Sequence, residues 1–550
     1  MNSIISSINI KLYGIIILII SLLVIDYQLF AEDRLKDMTL EEKIGQLFII
    51  PACELRGTDH EEDLEKLIVG SKVGGVLLKQ GTVQGQMALI EKLQNLASLP
   101  LLCLQDGEYG VAMRLRDALS LPRQLTLGAV QDLSLIYRFG QEIGRQCNLV
   151  GVQMVLGPDV DVNCNARNPI IHMRSFGEDP VRVAQRGEMV MRGIQSMGII
   201  ACAKHFPGHG DTTTDSHVDL PVVSHDFQRL QKVELYPFQK LIDAGVDAVM
   251  SAHLYVTELA DEPATFSTKL LTRLLKEQMG FSGLLISDAL NMKALSNHYS
   301  PGEIAVRTLK AGHDLLLYGD HIAPKIDQIL KVDVPQGIEA VKFAVENHEI
   351  SEELIDSKVR KILQAKEKCG LFASRLKNIN EKLNSPEAFA LKKQLFEEAI
   401  TVVRNEGMIP LQKQKIALVK WGESSHFQGF LESHFEIEAF SLLEMNSIPS
   451  DCSCIVISLS QYTTAPPHFG LSGDERRQLA DLSTCGIPCV AVLFGTPYSL
   501  ADVPLFESII VAYENEIEAQ EAAANVLMGK LIPKGLLPIS VPHFPAGTGF

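Results

Sequence analysis

From Met38 onward, apolar runs rich in Val, Ile and Leu alternate with longer amphipathic patterns. The runs are VGGVLL (73–78), LPLLCLQD (99–106), GVQMVLGPDV (151–160), GIIACAKH (198–205), DAVMSAH (247–253), GLLISD (283–288) and AGHDLLLYG (311–319). They are largely continuous rather than alternating. Strands read this way when helices cover both faces of a parallel sheet. TLEEKIGQLFII (39–50) opens the series as a helix starting at Thr39, with Glu42 at the spacing of a capping box. This repetition predicts an α/β domain of the (β/α)8 type, a TIM barrel, over 32–372. VRKILQAKEKCGLF (359–372) closes it with a helix.

A polar, strand-free stretch follows, and 373–395 reads as a linker. The pattern then resumes with KIALVKW (415–421), SCIVISLS (453–460), PCVAVLFG (488–495) and SIIVAY (508–513). Strands with helices between them predict an open, mostly parallel α/β sandwich over 396–550. It carries no phosphate-loop glycine pattern.

The N-terminus breaks the rhythm. GIIILIISLLVI (14–25) is an unbroken apolar run preceded by Lys11 and followed by Leu29-Phe30-Ala31. It is shorter than the about 20 residues of a membrane span. It predicts a secretory signal, 1–31, cleaved after Ala31. Leu29 is large for its place in a cleavage site, and an uncleaved N-terminal anchor is the alternative. The expectation is export to the periplasm, either free or held to the inner membrane.

Composition narrows the partners. The 550 residues carry a net charge of −17. No basic run offers a face to nucleic acid. The ten cysteines are dispersed. They form no disulfide framework and read as small buried hydrophobes.

The chemistry falls at the ends of the predicted strands. LPLLCLQD ends in Asp106, GIIACAKH in Lys204-His205, DAVMSAH in His253 and GLLISD in Asp288. A barrel gathers strand C-termini onto one face, where active sites are built. KHFPGHGDTTTDSH (204–217) adds a loop of titratable groups. In Asp215-Ser216-His217 the carboxylate can orient the imidazole and raise its basicity, which makes a general acid/base. The same loop also admits a metal site of His205, His209, Asp211 and His217. Asp288 reads either as the cap of the helix that follows or as a carboxylate nucleophile.

KHFPGHG followed by DSH resembles the signature of the family 3 glycoside hydrolases, in the branch of bacterial β-N-acetylglucosaminidases. QDGEYGVAMRL (105–115) is similar to that family's sugar-binding segment, with Tyr109 where glycine is more usual. NPIIHMRSFGEDP (168–180) resembles its arginine-bearing loop, and ISDALNM (286–292) its nucleophile segment. AITVVRNEGMIPL (399–411) and AANVLMGKLIPKGLLPISVP (523–542) are similar to its C-terminal sandwich. The resemblance implies Asp288 as nucleophile and His217 as acid/base assisted by Asp215. It implies Asp106, Arg114, Arg174, Lys204 and His205 on the sugar hydroxyls, with His253 and Met292 lining the same pocket. The implied activity is a retaining, exo-acting β-N-acetylglucosaminidase acting on peptidoglycan fragments or chitin-type sugars. It implies a carbohydrate substrate, no metal or organic cofactor and no partner protein. The alternatives are a phosphorylase or β-glucosidase of the same family, a metal-dependent barrel hydrolase, and a non-catalytic sugar-binding protein of the cell wall.

Overall fold

The computed structural model describes residues 31–214, 219–319, 326–373, 382–412, 415–460 and 471–550. Eight parallel strands form the first domain: β1 Phe48–Ala52, β2 Gly75–Leu78, β3 Leu102–Gln105, β4 Met154–Val155, β5 Ile200–Phe206, β6 Ala248–Ser251, β7 Leu284–Ser287 and β8 Leu316–Leu317. Neighbours pair in chain order, and β8 pairs back onto β1. A parallel bridge between Ile286 and Leu315 joins β7 to the start of β8 and closes the ring. The predicted TIM barrel is therefore present, wrapped by helices such as Leu133–Val150 and Pro180–Ser196.

The start of the barrel differs from its sequence reading. The Thr39 capping box forms as expected, but its helix spans only Leu40–Gly45. The apolar residues after it make β1, buried along its whole length. A short, fully apolar run cannot be assigned to helix or strand by periodicity alone. The run 14–25 lies outside the described residues. Among those described, no helix is long and apolar enough to cross a membrane. Ala31, read as the cleavage point, is buried.

Part of the segment read as a linker forms a helix. Ser385 caps a helix over Pro386–Ala399 that buries Leu391, Leu395 and Phe396. Lys392 anchors it to Glu516 (2.8 Å) and Glu518 (3.0 Å) of the C-terminal domain. Its polar face outweighs a narrow apolar stripe, which is why composition reads it as solvent-exposed chain.

That domain is a six-stranded sheet of β9 Thr401–Asn405, β10 Lys415–Trp421, β11 Glu436–Ser441, β12 Cys454–Ser460, β13 Cys489–Phe494 and β14 Ser508–Val511, in the order β9-β14-β13-β12-β10-β11. Every pair is parallel except β9 with β14, which is antiparallel with an irregularity between Val402 and Arg404. The four strands predicted from apolar runs are all present. The edge strand β11 is largely exposed and polar, so no apolar run marks it. Seven of the ten cysteines are buried, and none forms a disulfide.

Candidate active site

The barrel's C-terminal mouth holds a cavity of about 220 Å³. Its floor is apolar: Leu77 at the end of β2, Leu156 just past β4, Met250 in β6 and Leu317 in β8. Its chemistry comes from the other strands: Asp106 after β3, Lys204 and His205 in β5, and Asp288 after β7. Alternate strands of a barrel point their side chains into alternate layers. One layer here is a hydrophobic plug and the next is ionisable. Arg114 and Arg174 enter from the loops after β3 and β4.

These side chains form a nest of ion pairs. The Arg114 guanidinium donates to Asp106. Lys204 donates to Glu108 (2.8 Å) and lies 3.6 Å from Asp106. Arg174 donates to Glu108 through Nε (3.0 Å) and Nη2 (2.7 Å). Burial alone would raise the Glu108 carboxyl, but Arg174 and Lys204 outweigh it and hold it below the usual carboxylate range. Burial would likewise strip the proton from Lys204, and Glu108 and Asp106 keep it charged.

Asp159 and Asp161, just beyond β4, complete the nest. Asp161 accepts from His205 Nδ1 (2.7 Å) and from the His209 backbone N–H (2.6 Å). These contacts overcome burial and keep Asp161 ionised below its ordinary range. Asp159 goes the other way. Burial and the neighbouring Asp161 push its carboxyl well above the ordinary value. Arg114, Arg174 and Lys204 are thus interleaved with Asp106, Glu108 and Asp159.

His205 Nε2 lies 3.2 Å from Arg174 Nη2. A guanidinium cannot accept a hydrogen bond, so Nε2 accepts and Nδ1 carries the proton donated to Asp161. Asp288 lines the same cavity, its backbone N–H bonded to the Ser251 carbonyl (3.0 Å) and its Oδ1 accepting from Ala289 N–H (2.7 Å).

Of the residues expected at the site, Asp106, Arg114, Arg174, Lys204, His205 and Asp288 meet in this one cavity. Asp215 and His217 lie outside the described residues. His253 and Met292 are not among the residues lining the cavity. His253 is buried behind the mouth, with Nε2 on the Ala289 carbonyl (3.0 Å) and Nδ1 on Thr265 Oγ1 (2.7 Å). Met292 is buried at the start of the short helix Lys293–Ser296. Glu108, Asp159 and Asp161 were not anticipated as site residues. The strand-end argument that found Asp106 also applies to PDVDV (158–162), had that run been stopped at Val155.

Among the described residues of the loop, His205, His209 and Asp211 do not converge on a shared metal site. His209 Nδ1 is spent on Thr212 Oγ1 (2.7 Å), and burial lowers its ring to about 4. Asp211 is paired with His225 (2.6 Å). Asp159, Asp161 and His205 do present ligand atoms within 4.8 Å of one another. Asp161 and His205 Nδ1 are spent on each other (2.7 Å), and the Arg174 guanidinium stands 3.6 Å from Asp159 Oδ2, which has no hydrogen-bond partner of its own. With that cation in place, this donor set does not fit a metal ion.

The glycosyl hydrolase family 3 N-terminal domain matches residues 39–365, the whole barrel. The chain belongs to glycosyl hydrolase family 3. It is 31% identical over 386 residues to beta-hexosaminidase A of Pseudoalteromonas piscicida, an alignment covering 66% of this chain and 64% of that protein. A beta-N-acetylglucosaminidase/beta-glucosidase of Cellulomonas fimi is 27% identical, covering 93% of this chain and 95% of that one. The solved family 3 beta-N-acetylglucosaminidase of Paenibacillus sp. str. FPU-7 superposes with a TM-score of 0.79 at 29% identity, covering 92% of this chain and 99% of that one. The likeness therefore spans both domains of this family 3 member.

Proposed function

We propose that this family 3 member is an exported, retaining, exo-acting β-N-acetylglucosaminidase that removes terminal β-linked N-acetylglucosamine from peptidoglycan fragments or chitin-type saccharides. The observation that carries the reading is that the Asp288 carboxylate shares a cavity of about 220 Å³ with Asp106, Arg114, Arg174, Lys204 and His205. A closed apolar floor suits one terminal sugar ring rather than a chain passing through. Fixed donors and acceptors suit its hydroxyls. The hexosaminidase names of its relatives support the 2-acetamido sugar. The apolar run 14–25 supports export.

Asp288 attacks the anomeric carbon while His217, oriented by Asp215, protonates the leaving oxygen. A glycosyl ester forms on Asp288. His217 then deprotonates a water that attacks the same carbon, so the β configuration is retained. The nest contributes by position. Its ion pairs are formed before substrate arrives, so its dipoles need little reorganisation as charge develops on the sugar.

The test is hydrolysis of an aryl β-N-acetylglucosaminide by wild type, Asp288→Ala and His217→Ala, with and without phosphate and with and without chelator. The reading expects turnover that ignores chelator and collapses in both variants. A sugar phosphate as the product in phosphate buffer makes the protein a phosphorylase with the same residues. Turnover of the aryl glucoside alone moves it to β-glucosidase activity. Chelator-sensitive turnover, or none on either glycoside, overturns it.

A further inference from the structure

The described cavity-lining residues all belong to the barrel. The C-terminal domain nevertheless grips the loop that carries Arg174. Asn163 Nδ2 donates to Tyr498 Oη (2.5 Å), and the Tyr498 ring packs on His172 at 4.8 Å between centroids. Thr496 Oγ1 lies 3.4 Å from His172 Nε2. His172 has φ of +39°, a left-handed conformation with a steric cost for any residue bearing a Cβ. It stands two residues before Arg174, so the loop is held in this shape by its contacts across the domain boundary. Past Arg174 the grip resumes. Gly177, at φ of +137°, lies so close to Pro538 that a Cβ would sit 2.3 Å from its carbonyl oxygen. Ser540 donates to Glu178 through both its backbone N–H (2.8 Å) and its hydroxyl (2.5 Å).

A second strut reaches Arg174 from behind. The six-residue helix Gln124–Ala129 has no side-chain cap from its own N-cap residue, Arg123. Glu514 of the C-terminal domain supplies the acceptor instead, taking the Arg123 backbone N–H (2.8 Å) and the Thr126 hydroxyl (2.6 Å). The first residue of that helix, Gln124, donates Nε2 to the Arg174 carbonyl and to the Asp159 carbonyl, each at 2.6 Å.

We propose that Tyr498 and Glu514 are positioning residues through which the C-terminal domain fixes Arg174 in the sugar site and thereby sets substrate affinity. This rests on the reading above that Arg174 holds the sugar. A domain that only stabilised the barrel would lower the melting temperature when damaged and leave affinity alone.

The test compares Tyr498→Phe, which keeps the ring on His172 and loses the bond to Asn163, with Glu514→Ala and Glu514→Gln, the last retaining an acceptor oxygen. Val492→Ala is the control: Val492 is buried in the C-terminal core away from both struts. KM and kcat on an aryl β-N-acetylglucosaminide are measured beside thermal melts, and each variant is crystallised. The proposal expects KM to rise about threefold in Tyr498→Phe and about tenfold in Glu514→Ala, with kcat within about twofold of wild type. Glu514→Gln restores KM, and Val492→Ala melts earlier with KM unchanged. KM values that track melting temperature across all four variants overturn it. Should wild type cleave no aryl hexosaminide, the functional reading fails and the crystal structures decide this one alone. An Arg174 guanidinium displaced from Glu108 in Glu514→Ala supports it, and an unmoved guanidinium overturns it.

Discussion

Glu108→Gln is the sharpest perturbation of the ion-pair nest. Glu108 is 3% exposed and accepts from Arg174 Nε, Arg174 Nη2 and Lys204 Nζ. The substitution preserves shape and removes one negative charge. Arg174 and Lys204 then lose the carboxylate they share. Removing one partner of a buried ion pair costs about 3–5 kcal/mol, because the survivor remains desolvated. The structure holds a partial remedy. Asp159 places Oδ2 3.6 Å from Arg174 Nη2, a second acidic group beside that cation. The expected loss at neutral pH is therefore at the lower end of that range.

The pH dependence identifies the cause. The folded pKa of Glu108 lies below its ordinary value of 4.5, so the unfolded chain binds more protons in that window. Stability from Glu108 is fully present above about 4.5 and is lost as pH falls through the folded value. The gap between wild type and Glu108→Gln should be widest at pH 7 and shrink at pH 4 and below. Urea unfolding of both proteins at the two pH values measures it. A gap under about 1 kcal/mol at pH 7, or a gap equal at both, refutes the buried ion-pair account.

Three further outcomes are expected. Lys366 is fully buried, donates to Gln46 Oε1 (2.6 Å), and burial pulls its ammonium down to about 7. The native state sheds that proton before the unfolded chain does, so wild-type stability should rise from about pH 7 to 10.5, and Lys366→Met should flatten that rise in a series of melts against pH. Asp179 caps the helix Pro180–Ser196 by accepting from Val181 N–H (2.8 Å) and Arg182 N–H (3.0 Å), so Asp179→Ala should cost about 1 kcal/mol in denaturant unfolding. His253→Ala removes the donor to the carbonyl of Ala289, the residue after Asp288. It should lower kcat by about tenfold and leave KM near wild type, whereas a direct sugar contact would raise KM.

The sequence carries much of this in plain form. Continuous apolar runs ending in Asp106, Lys204-His205 and Asp288 locate the strands and the mouth together, because a parallel barrel must bury its strands and expose their C-terminal ends. Other features are set by packing that no local pattern encodes. His253 ends its run as Asp288 does, yet it turns into the core to hold Ala289 and Thr265. Glu108 reads as one acid among many until the fold brings Arg174 to it from 66 residues away. The helix Pro386–Ala399 is disguised by a polar face that pairs with Glu516, Glu518 and Glu521 across the chain. Glu514 looks like a turn residue after β14, and only the assembled domains reveal it as the cap of a helix in the barrel.

The central claim is that Asp288 becomes covalently attached to the sugar. The direct measurement is mass spectrometry of the intact and digested protein after incubation with a fluorinated N-acetylglucosaminyl fluoride, whose ester forms faster than it hydrolyses. The account predicts one added glycosyl unit, carried by the peptide containing Asp288 and absent in Asp288→Ala. A label on any other residue, or normal turnover by the Asp288→Ala protein, contradicts it.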